Sequence, residues 1–191
     1  MHEVVNKRSR GTLLAAIWVK LLVPLACCHL AAADTRSAPV PRVFASTDGY
    51  YWVRVTPKPD RRGSLRESEL TVTRSDALTG KEISVGTINL KFVPARVIVS
   101  NQGQLVCLND YYSPGFGECV TVLGSDGVPT VRKKLENMLT RAEIRENVSE
   151  TVSSRDWDRD ACFAFSADEL VITTRWGKRI AIPLTPKEVD K

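Results

Sequence analysis

Short runs of β-branched and aromatic residues alternate with turn residues along most of this 191-residue chain. Val43 to Ser46 is followed by Asp48-Gly49 and then by Tyr50 to Val55, and an Asp-Gly pair between two such runs is a strong β-hairpin signal. Repeated strand and turn signals of this kind predict an all-β fold of about ten short strands. Residues 56–68 are rich in breakers and are predicted to form a loop. Further strands are predicted at residues 70–73, 83–90, 96–100, 104–109, 119–123, 130–132, 151–153, 161–165, 170–174 and 179–183.

One region departs from the strand pattern. Leu135, Met138, Leu139 and Ala142 follow the i, i+3, i+4, i+7 spacing of an amphipathic helix. The run from Thr140 to Glu143 has the form of a capping box, which starts a helix. One or two short helices that meet at Thr140 are therefore expected near residues 134–147.

The first 33 residues have the features of a signal peptide. A positive segment precedes an apolar stretch that Lys20 interrupts, and Ala31-Ala32-Ala33 provides the small residues that a signal peptidase requires. Cleavage before Asp34 would export the protein to the periplasm or the extracellular space. A transmembrane anchor is the weaker interpretation, because each apolar run is shorter than the ~20 residues needed to span a bilayer.

Lipid attachment at Cys28 is an alternative for this leader. Leu25 and Ala26 stand where a bacterial lipobox has its leucine and small residue, although Cys27 replaces the usual small residue before the modified cysteine. The membrane is thus an expected partner only if the chain is lipidated or the signal stays uncleaved.

Without residues 1–33 the chain divides into an extended lead-in (34–41), one β-rich domain (42–185) and a C-terminal tail (186–191). Four of the 27 basic residues and one of the 22 acidic residues lie in residues 1–33, which leaves a formal charge of +2. That charge gives no basis for a nucleic-acid-binding surface, which requires clustered lysines and arginines.

Three segments echo one another: a strand, a turn that starts with Ser46, Ser100 or Ser166, and a second strand. They resemble the inner hairpins of β-propeller blades of the secreted, WD-like kind. Residues 97–139 also resemble a set of exported bacterial proteins of unknown function, with a Ser-x-x-Gly hairpin, an Asn-Asp end, an aromatic–glycine loop, an Asp-Gly turn and a short leucine helix. The serines are 54 and 66 residues apart, whereas propeller blades repeat every ~40–45 residues. The resemblance therefore implies a propeller-like fragment or an open β-sandwich.

The distribution of histidine limits the chemistry of the domain. The two histidines, His2 and His29, both lie within the predicted signal. The exported chain therefore lacks the imidazole of a Ser-His-Asp or Cys-His system and of most zinc sites. It also lacks a glycine-rich phosphate loop. We expect no cofactor, no metal and no histidine-dependent catalysis. Asp156, Asp158 and Asp160 alternate as in a calcium loop, but Ala161 and Ala167 stand at positions where that loop requires glycine and glutamate.

The loop from Asp110 to Glu118 is the candidate recognition site. Its ligand-binding candidates are two acids and three aromatic residues on a glycine-hinged loop: Asp110, Tyr111, Tyr112, Phe116 and Glu118. Aromatic rings on a loop can stack on a sugar or grip a peptide. The alternative is that the rings fold back and plug the end of the sheets. A disulfide between Cys107 and Cys119 is possible in an oxidising compartment, although both cysteines also read as buried small hydrophobic residues.

Two functions follow from these observations. The first is a non-catalytic binding or scaffolding module whose partner is a protein or a glycan. The second is a carboxylate-dependent hydrolase acting on sugars, with Asp110 and Glu118 as its acid pair, because glycosidases need two carboxylates and no histidine.

Overall fold

The computed structural model describes residues 37–185. The predicted signal peptide, its cleavage site, Cys28 and the tail 186–191 lie outside the described residues. Within them the fold is all-β, as predicted: thirteen strands form antiparallel sheets, accompanied by one short α-helix.

Three sheets follow one another along the chain. The first sheet contains β1 (Arg42–Ala45), β2 (Tyr51–Lys58), β3 (Glu67–Ser75) and β4 (Glu82–Leu90), and the second contains β5 (Pro94–Val99), β6 (Leu105–Asp110), β7 (Glu118–Leu123) and β8 (Pro129–Lys134). β9 (Ser149–Glu150) and β10 (Arg155–Asp156) pair as a small ladder, and the third sheet contains β11 (Cys162–Phe165), β12 (Glu169–Thr173) and β13 (Arg179–Pro183). In each of the three sheets neighbouring strands are consecutive in the chain, so every sheet is an antiparallel meander.

The second sheet is covered on both faces because apolar residues occupy successive positions of its central strands. On β6, Leu105 and Cys107 pack into a core shared with the first sheet. Val106 and Leu108 face the other way, into a core shared with the helical segment and the third sheet. Alternate side chains of a strand point to opposite faces, so this continuous apolar run places the second sheet between two cores.

The helical segment lies between the second and third sheets in the chain. A 3₁₀ helix (Leu135–Asn137) is followed by α1 (Arg141–Asn147), and Thr140 is the N-cap of α1. The Thr140 hydroxyl accepts a hydrogen bond from the Glu143 amide, and the Glu143 carboxylate accepts one from the Thr140 amide. The predicted short helices near residues 134–147 are confirmed; the second begins at the Thr140 cap, as expected, whereas the first already ends at Asn137.

The echoed serines occupy equivalent turns in the three sheets. Ser46, Ser100 and Ser166 each begin the turn between the first two strands of a sheet. The hydroxyl oxygens of Ser46 and Ser100 accept hydrogen bonds from the amides of Tyr51 and Gln104, each at 3.0 Å. The echo thus reflects a recurring turn.

Side chains of the first sheet pack directly on two turn glycines of the second sheet. The Tyr51 ring lies where a side chain at Gly103 would be, with its nearest atom 2.6 Å from the position of an added Cβ. The Ile88 side chain packs on Gly127 in the same way, with its nearest atom 2.8 Å from the position of an added Cβ. Both glycines have positive φ, so the turn and the close packing each favour glycine there.

Two local predictions were wrong. Residues 151–153 form a turn between β9 and β10, because the Thr151 hydroxyl accepts the Ser154 amide and replaces strand pairing. The predicted loop 56–68 is shorter, since β2 extends to Lys58 and β3 begins at Glu67. Pro57 fits in β2 because β1 pairs with β2 only as far as Val55, which leaves the proline at an unpaired edge.

Within residues 37–185, every helix falls short of the length and apolarity required to span a membrane.

Candidate functional site

The loop from Asp110 to Glu118 has a defined backbone. The Asp110 carboxylate accepts a hydrogen bond from the Tyr112 amide at 2.9 Å, and the Asp110 carbonyl accepts one from Ser113. The Phe116 amide donates in turn to the Ser113 carbonyl. Two overlapping turns therefore form the loop, and the Asp110 carboxylate stabilises the first of them.

Asn109 joins this loop to the segment after α1. Its side-chain oxygen accepts hydrogen bonds from the Gly115 amide (3.0 Å) and the Trp157 indole Nε1 (2.8 Å), and its side-chain nitrogen donates to Asp158 Oδ1 (3.0 Å). Asn109 is 3% exposed and Trp157 is fully buried. Burial raises the pKa of the Asp158 carboxyl, which the hydrogen bond from Asn109 partly offsets. Asn109 is a structural hub, a role that sequence reasoning missed although Asn-Asp was noted as part of the motif.

The three aromatic rings of the loop are half-buried, each beside an arginine. The guanidinium of Arg155 lies 4.6 Å from the centre of the Phe116 ring. Arg42 and Arg66 lie 5.4 and 5.0 Å from the rings of Tyr111 and Tyr112, and the two tyrosines meet edge to face. The rings are thus neither fully sealed in a core nor free in solvent.

The structure brings three of the five predicted recognition residues to one cavity. Asp110, Phe116 and Glu118 line a space of about 230 Å³, together with Phe92, Ser113 and Thr121. Tyr111 and Tyr112 are outside that lining. The Glu118 carboxylate forms an ion pair with Arg132 at 3.1 Å, and the Asp110 carboxylate binds backbone. Both predicted acids therefore have structural partners.

The described cysteines are free thiols. Cys107 packs in the core between the first and second sheets, and Cys119 packs in the core on the opposite side of the second sheet. The sheet separates the two sulfur atoms, so the possible Cys107–Cys119 disulfide is not formed. Burial raises the pKa of both thiols to about 12. Cys162 is exposed on the third sheet.

The acids of residues 156–160 have local partners. Asp156 forms an ion pair with Arg159 at 2.7 Å, and Asp158 accepts the hydrogen bond from Asn109. Among residues 37–185, no group of three or more His, Cys, Asp or Glu side chains is arranged to hold a metal ion.

A larger groove, which the sequence did not indicate, lies beside the first strands of the three sheets. We call this cavity of about 910 Å³ the first-strand groove. It is lined by parts of β1, β5 and β11, by the turns that follow them and by Leu184. Its aromatic lining residues are Phe44, Phe163 and Phe165, and its polar ones include Arg96, Asn101, Gln102 and Gln104.

The charge of this groove comes from one residue. Arg96 is the charged side chain in the lining, and its guanidinium lies 4.8 Å from the centre of the Phe163 ring. Among residues 37–185, the Arg96 guanidinium forms no hydrogen bond or ion pair. Gln104 donates a hydrogen bond to the Leu184 carbonyl, which ties the second sheet to the end of the third.

A third cavity, of about 410 Å³, opens between the first and second sheets. We call it the inter-sheet cavity. Its lining includes the Tyr51 ring, the strand residues Val72 and Gly86, and the turns 102–105 and 123–126.

The comparisons with known proteins found little. Neither a scan against protein-family models nor a search of curated proteins gave a match. Among solved structures, the chain is similar to a protein from Bacteroides uniformis ATCC 8492 described as a "putative 6-phosphogluconolactonase", with 22% identity and a TM-score of 0.33. The match covers 77% of this chain and 44% of that one, so this chain spans less than half the length of the protein it matches. At this level of similarity the match supports no inference about function.

Proposed function

We propose that this protein is an exported, non-catalytic binding module that holds an extended, acidic segment of a protein partner in the first-strand groove. The groove itself is the observation that carries the proposal, because its volume of about 910 Å³ exceeds that of the cavity at the predicted recognition loop. Binding sites are commonly concave, with polar groups that fix the orientation of the ligand.

The strands beside the groove support an extended ligand. Among the described strands, β1, β5 and β11 each pair on one side only. An unpaired strand edge presents backbone amide and carbonyl groups to which an extended peptide can add. Apolar side chains at alternate positions, such as Ile98 and Phe163, would contact alternate side chains of that peptide.

The charge of the groove supports an acidic ligand. Arg96 contributes a positive charge, and none of the described lining residues is Asp or Glu. The Arg96 charge already acts on Asp158, where it opposes the effect of burial on the pKa of that carboxyl, and a ligand carboxylate would add a second partner of opposite charge.

Several observations support a non-catalytic role. The two histidines fall within residues 1–33. The acids of the recognition loop, Asp110 and Glu118, are bound to backbone and to Arg132. Export is supported by the positive segment, the apolar stretch and Ala31-Ala32-Ala33. N-terminal sequencing of the secreted protein should therefore begin at Asp34 or close to it, and a cytoplasmic protein that begins at Met1 would contradict export.

Peptide binding to the groove can be tested directly. We expect a fluorescent, terminally blocked Val-Glu-Val-Glu-Val peptide to bind, and the matching Val-Lys-Val-Lys-Val peptide to bind at least about tenfold more weakly, because the charge next to Arg96 is reversed. Arg96→Glu should invert this preference. Arg179→Gln, which changes an exposed arginine away from the groove, should leave it unchanged.

Fluorescence anisotropy measures each affinity. Equal affinity of both peptides, or absence of binding at millimolar concentration, would refute the peptide groove.

The hydrolase remains a second candidate because Asp110 and Glu118 line the same small cavity. A panel of aryl glycosides tests it. Turnover that disappears in both Asp110→Asn and Glu118→Gln would establish the hydrolase and overturn the non-catalytic proposal.

A further inference from the structure

Gly86 lies in the middle of β4, next to a β-bulge that leaves Val85 as the extra residue opposite β3. It pairs with Val72 of β3, and its φ is not positive. A Cβ added at Gly86 would have no heavy atom within 4 Å. Glycine is unfavourable within a strand, where it adds backbone entropy to the unfolded state and removes packing. The bulge marks a departure from regular strand geometry, but neither a positive φ nor close packing requires glycine at this position.

The effect of Gly86 is to keep the inter-sheet cavity open. Cross-strand partners point to the same face of a sheet, and Val72 points toward the second sheet, where it is buried. A side chain at position 86 would therefore project into the cavity that both residues line. A glycine in a strand interior often marks a bulge, as here, or a place where a ligand approaches the backbone closely.

The walls of the cavity combine an apolar floor with a polar rim. Val72, Leu105 and Leu123 form apolar parts of the lining and belong to the core between the two sheets, and the partly buried Ile88 packs against that core. The Tyr51 ring, packed against Gly103, forms an aromatic wall. The rim carries side chains from both sheets: Arg74, Thr87, Gln102, Ser125 and Asp126.

The rim carries one positive and one negative charge. Asp126 uses Oδ1 to accept the Val128 amide in its turn. The Arg74 guanidinium makes no hydrogen bond or ion pair among residues 37–185, and its charge adds to the Thr79 hydrogen bonds that lower the pKa of Asp76. An anionic ligand would be opposed by Asp126 and a cationic one by Arg74. The rim contains both donors (guanidinium and amide N–H groups) and acceptors (carboxylate, amide and hydroxyl oxygens). Hydroxyl groups of a ligand can both donate and accept hydrogen bonds, so they match such a rim.

We propose that the inter-sheet cavity binds a single neutral sugar ring. The apolar face of the ring would lie against Tyr51 and its hydroxyls would contact the rim. The volume of about 410 Å³ lies within the usual range of small-ligand sites. This site does not depend on peptide binding in the first-strand groove, although the turn that carries Gln102 and Gln104 lines both cavities.

A cavity-filling variant provides the central test. Gly86→Val should raise the melting temperature or leave it unchanged, since valine favours strands and meets open space. The unmodified protein should bind at least one of the methyl glycosides of glucose, galactose, mannose and N-acetylglucosamine. Gly86→Val should abolish that binding. Ser84→Val is the matched control, because the bulge places Ser84 opposite Thr73, on the face away from the cavity, and this variant should retain binding.

Ligand-observed NMR and calorimetry on the full exported chain give the readout. Absence of binding by all four glycosides would overturn the sugar site, as would full-strength binding by Gly86→Val. Methyl glucuronide binding as tightly as the neutral glycosides would overturn the class of ligand. If Gly86→Val fails to fold, Arg74→Met should weaken glycoside binding at least about tenfold, and unchanged affinity in that variant would refute the proposal.

Discussion

Asn109 combines a backbone conformation that few residues adopt with three side-chain hydrogen bonds, two of them buried. Its φ of 54° lies in the left-handed region, where asparagine is better tolerated than most side chains. Its side chain holds the recognition loop through Gly115 and the segment after α1 through Trp157 and Asp158. The side chain of Asn109 therefore connects the recognition loop to the segment after α1.

We expect Asn109→Ala to lower the free energy of unfolding by about 2–4 kcal/mol, because two buried donors lose their acceptor and the backbone becomes strained. Asn109→Gly removes the same hydrogen bonds but accepts the positive φ, so it should cost less than alanine. Urea denaturation of both variants measures the two contributions. Equal stability of Asn109→Ala and the unmodified protein would disprove the hub.

A substitution of Phe116 tests whether the loop from Asp110 to Glu118 stabilises the fold or is free to bind a ligand. Its ring is half-buried under the Arg155 guanidinium, so we expect Phe116→Ala to cost about 1–3 kcal/mol, less than the 3–5 kcal/mol of a fully buried ring. The exposed Tyr50 provides the control, and Tyr50→Ala should change stability little. A melting temperature that does not change in Phe116→Ala would favour a loop available for recognition.

At the scale of elements, α1 is held by its N-cap and by contacts with the turn between β12 and β13. The Glu143 carboxylate binds the Thr140 amide and forms an ion pair with Lys178 at 2.8 Å. Arg175 also donates to the Asn147 carbonyl at the other end of α1. A helix of two turns is too short to be stable alone, so these contacts determine whether it forms.

The change of stability with pH should show the contribution of the Glu143 contacts. The hydrogen bond from Lys178 and the Thr140 amide lower the pKa of Glu143 from 4.5 to about 2. Because the folded-state pKa is the lower one, this stabilisation is complete above pH 4.5 and is lost as the pH falls toward 2. Glu143→Gln should therefore be less stable than the unmodified protein at pH 6 and equally stable near pH 2.

Thermal melts across this pH range test the prediction, and Glu146→Gln on the same helix serves as the control. A stability difference that persists undiminished at pH 2 would contradict it.

The elements that were predicted correctly are those with local signals. The capping box at Thr140 and the Asp-Gly turn at residues 48–49 each depend on neighbouring residues, so the sequence sufficed. The sites depend on contacts between distant residues: Gln104 bonds to a carbonyl 80 residues away and Trp157 to a side chain 48 residues away. The first-strand groove and the role of Asn109 could therefore not be foreseen, and the five loop residues did not form one site.

At the scale of the whole molecule, the stack of sheets predicts an uneven distribution of local stability. The second sheet has a core on each face, whereas most of β4 is exposed. Amides of β6 and β7 should exchange hydrogen most slowly and those of β4 at least about tenfold faster, because β4 can open without exposing either core fully. Native-state hydrogen exchange with mass spectrometry measures this order. Equal protection of β4 and β6 would indicate that the stack opens only as a unit.

The packing of Tyr51 on Gly103 and of Ile88 on Gly127 has a consequence for how such a chain can be rearranged by duplication or grafting. Each pair joins a side chain of one sheet to a turn of the next, so the complementary halves are inherited in different segments of the gene. A transplanted first sheet would meet a collision wherever the recipient's turns carried a side chain at these two positions. The first sheet is therefore compatible only with a successor whose turns leave this space open, and hybrid domains cut between Leu90 and Pro94 should fold only when the recipient's second sheet has glycine at both positions.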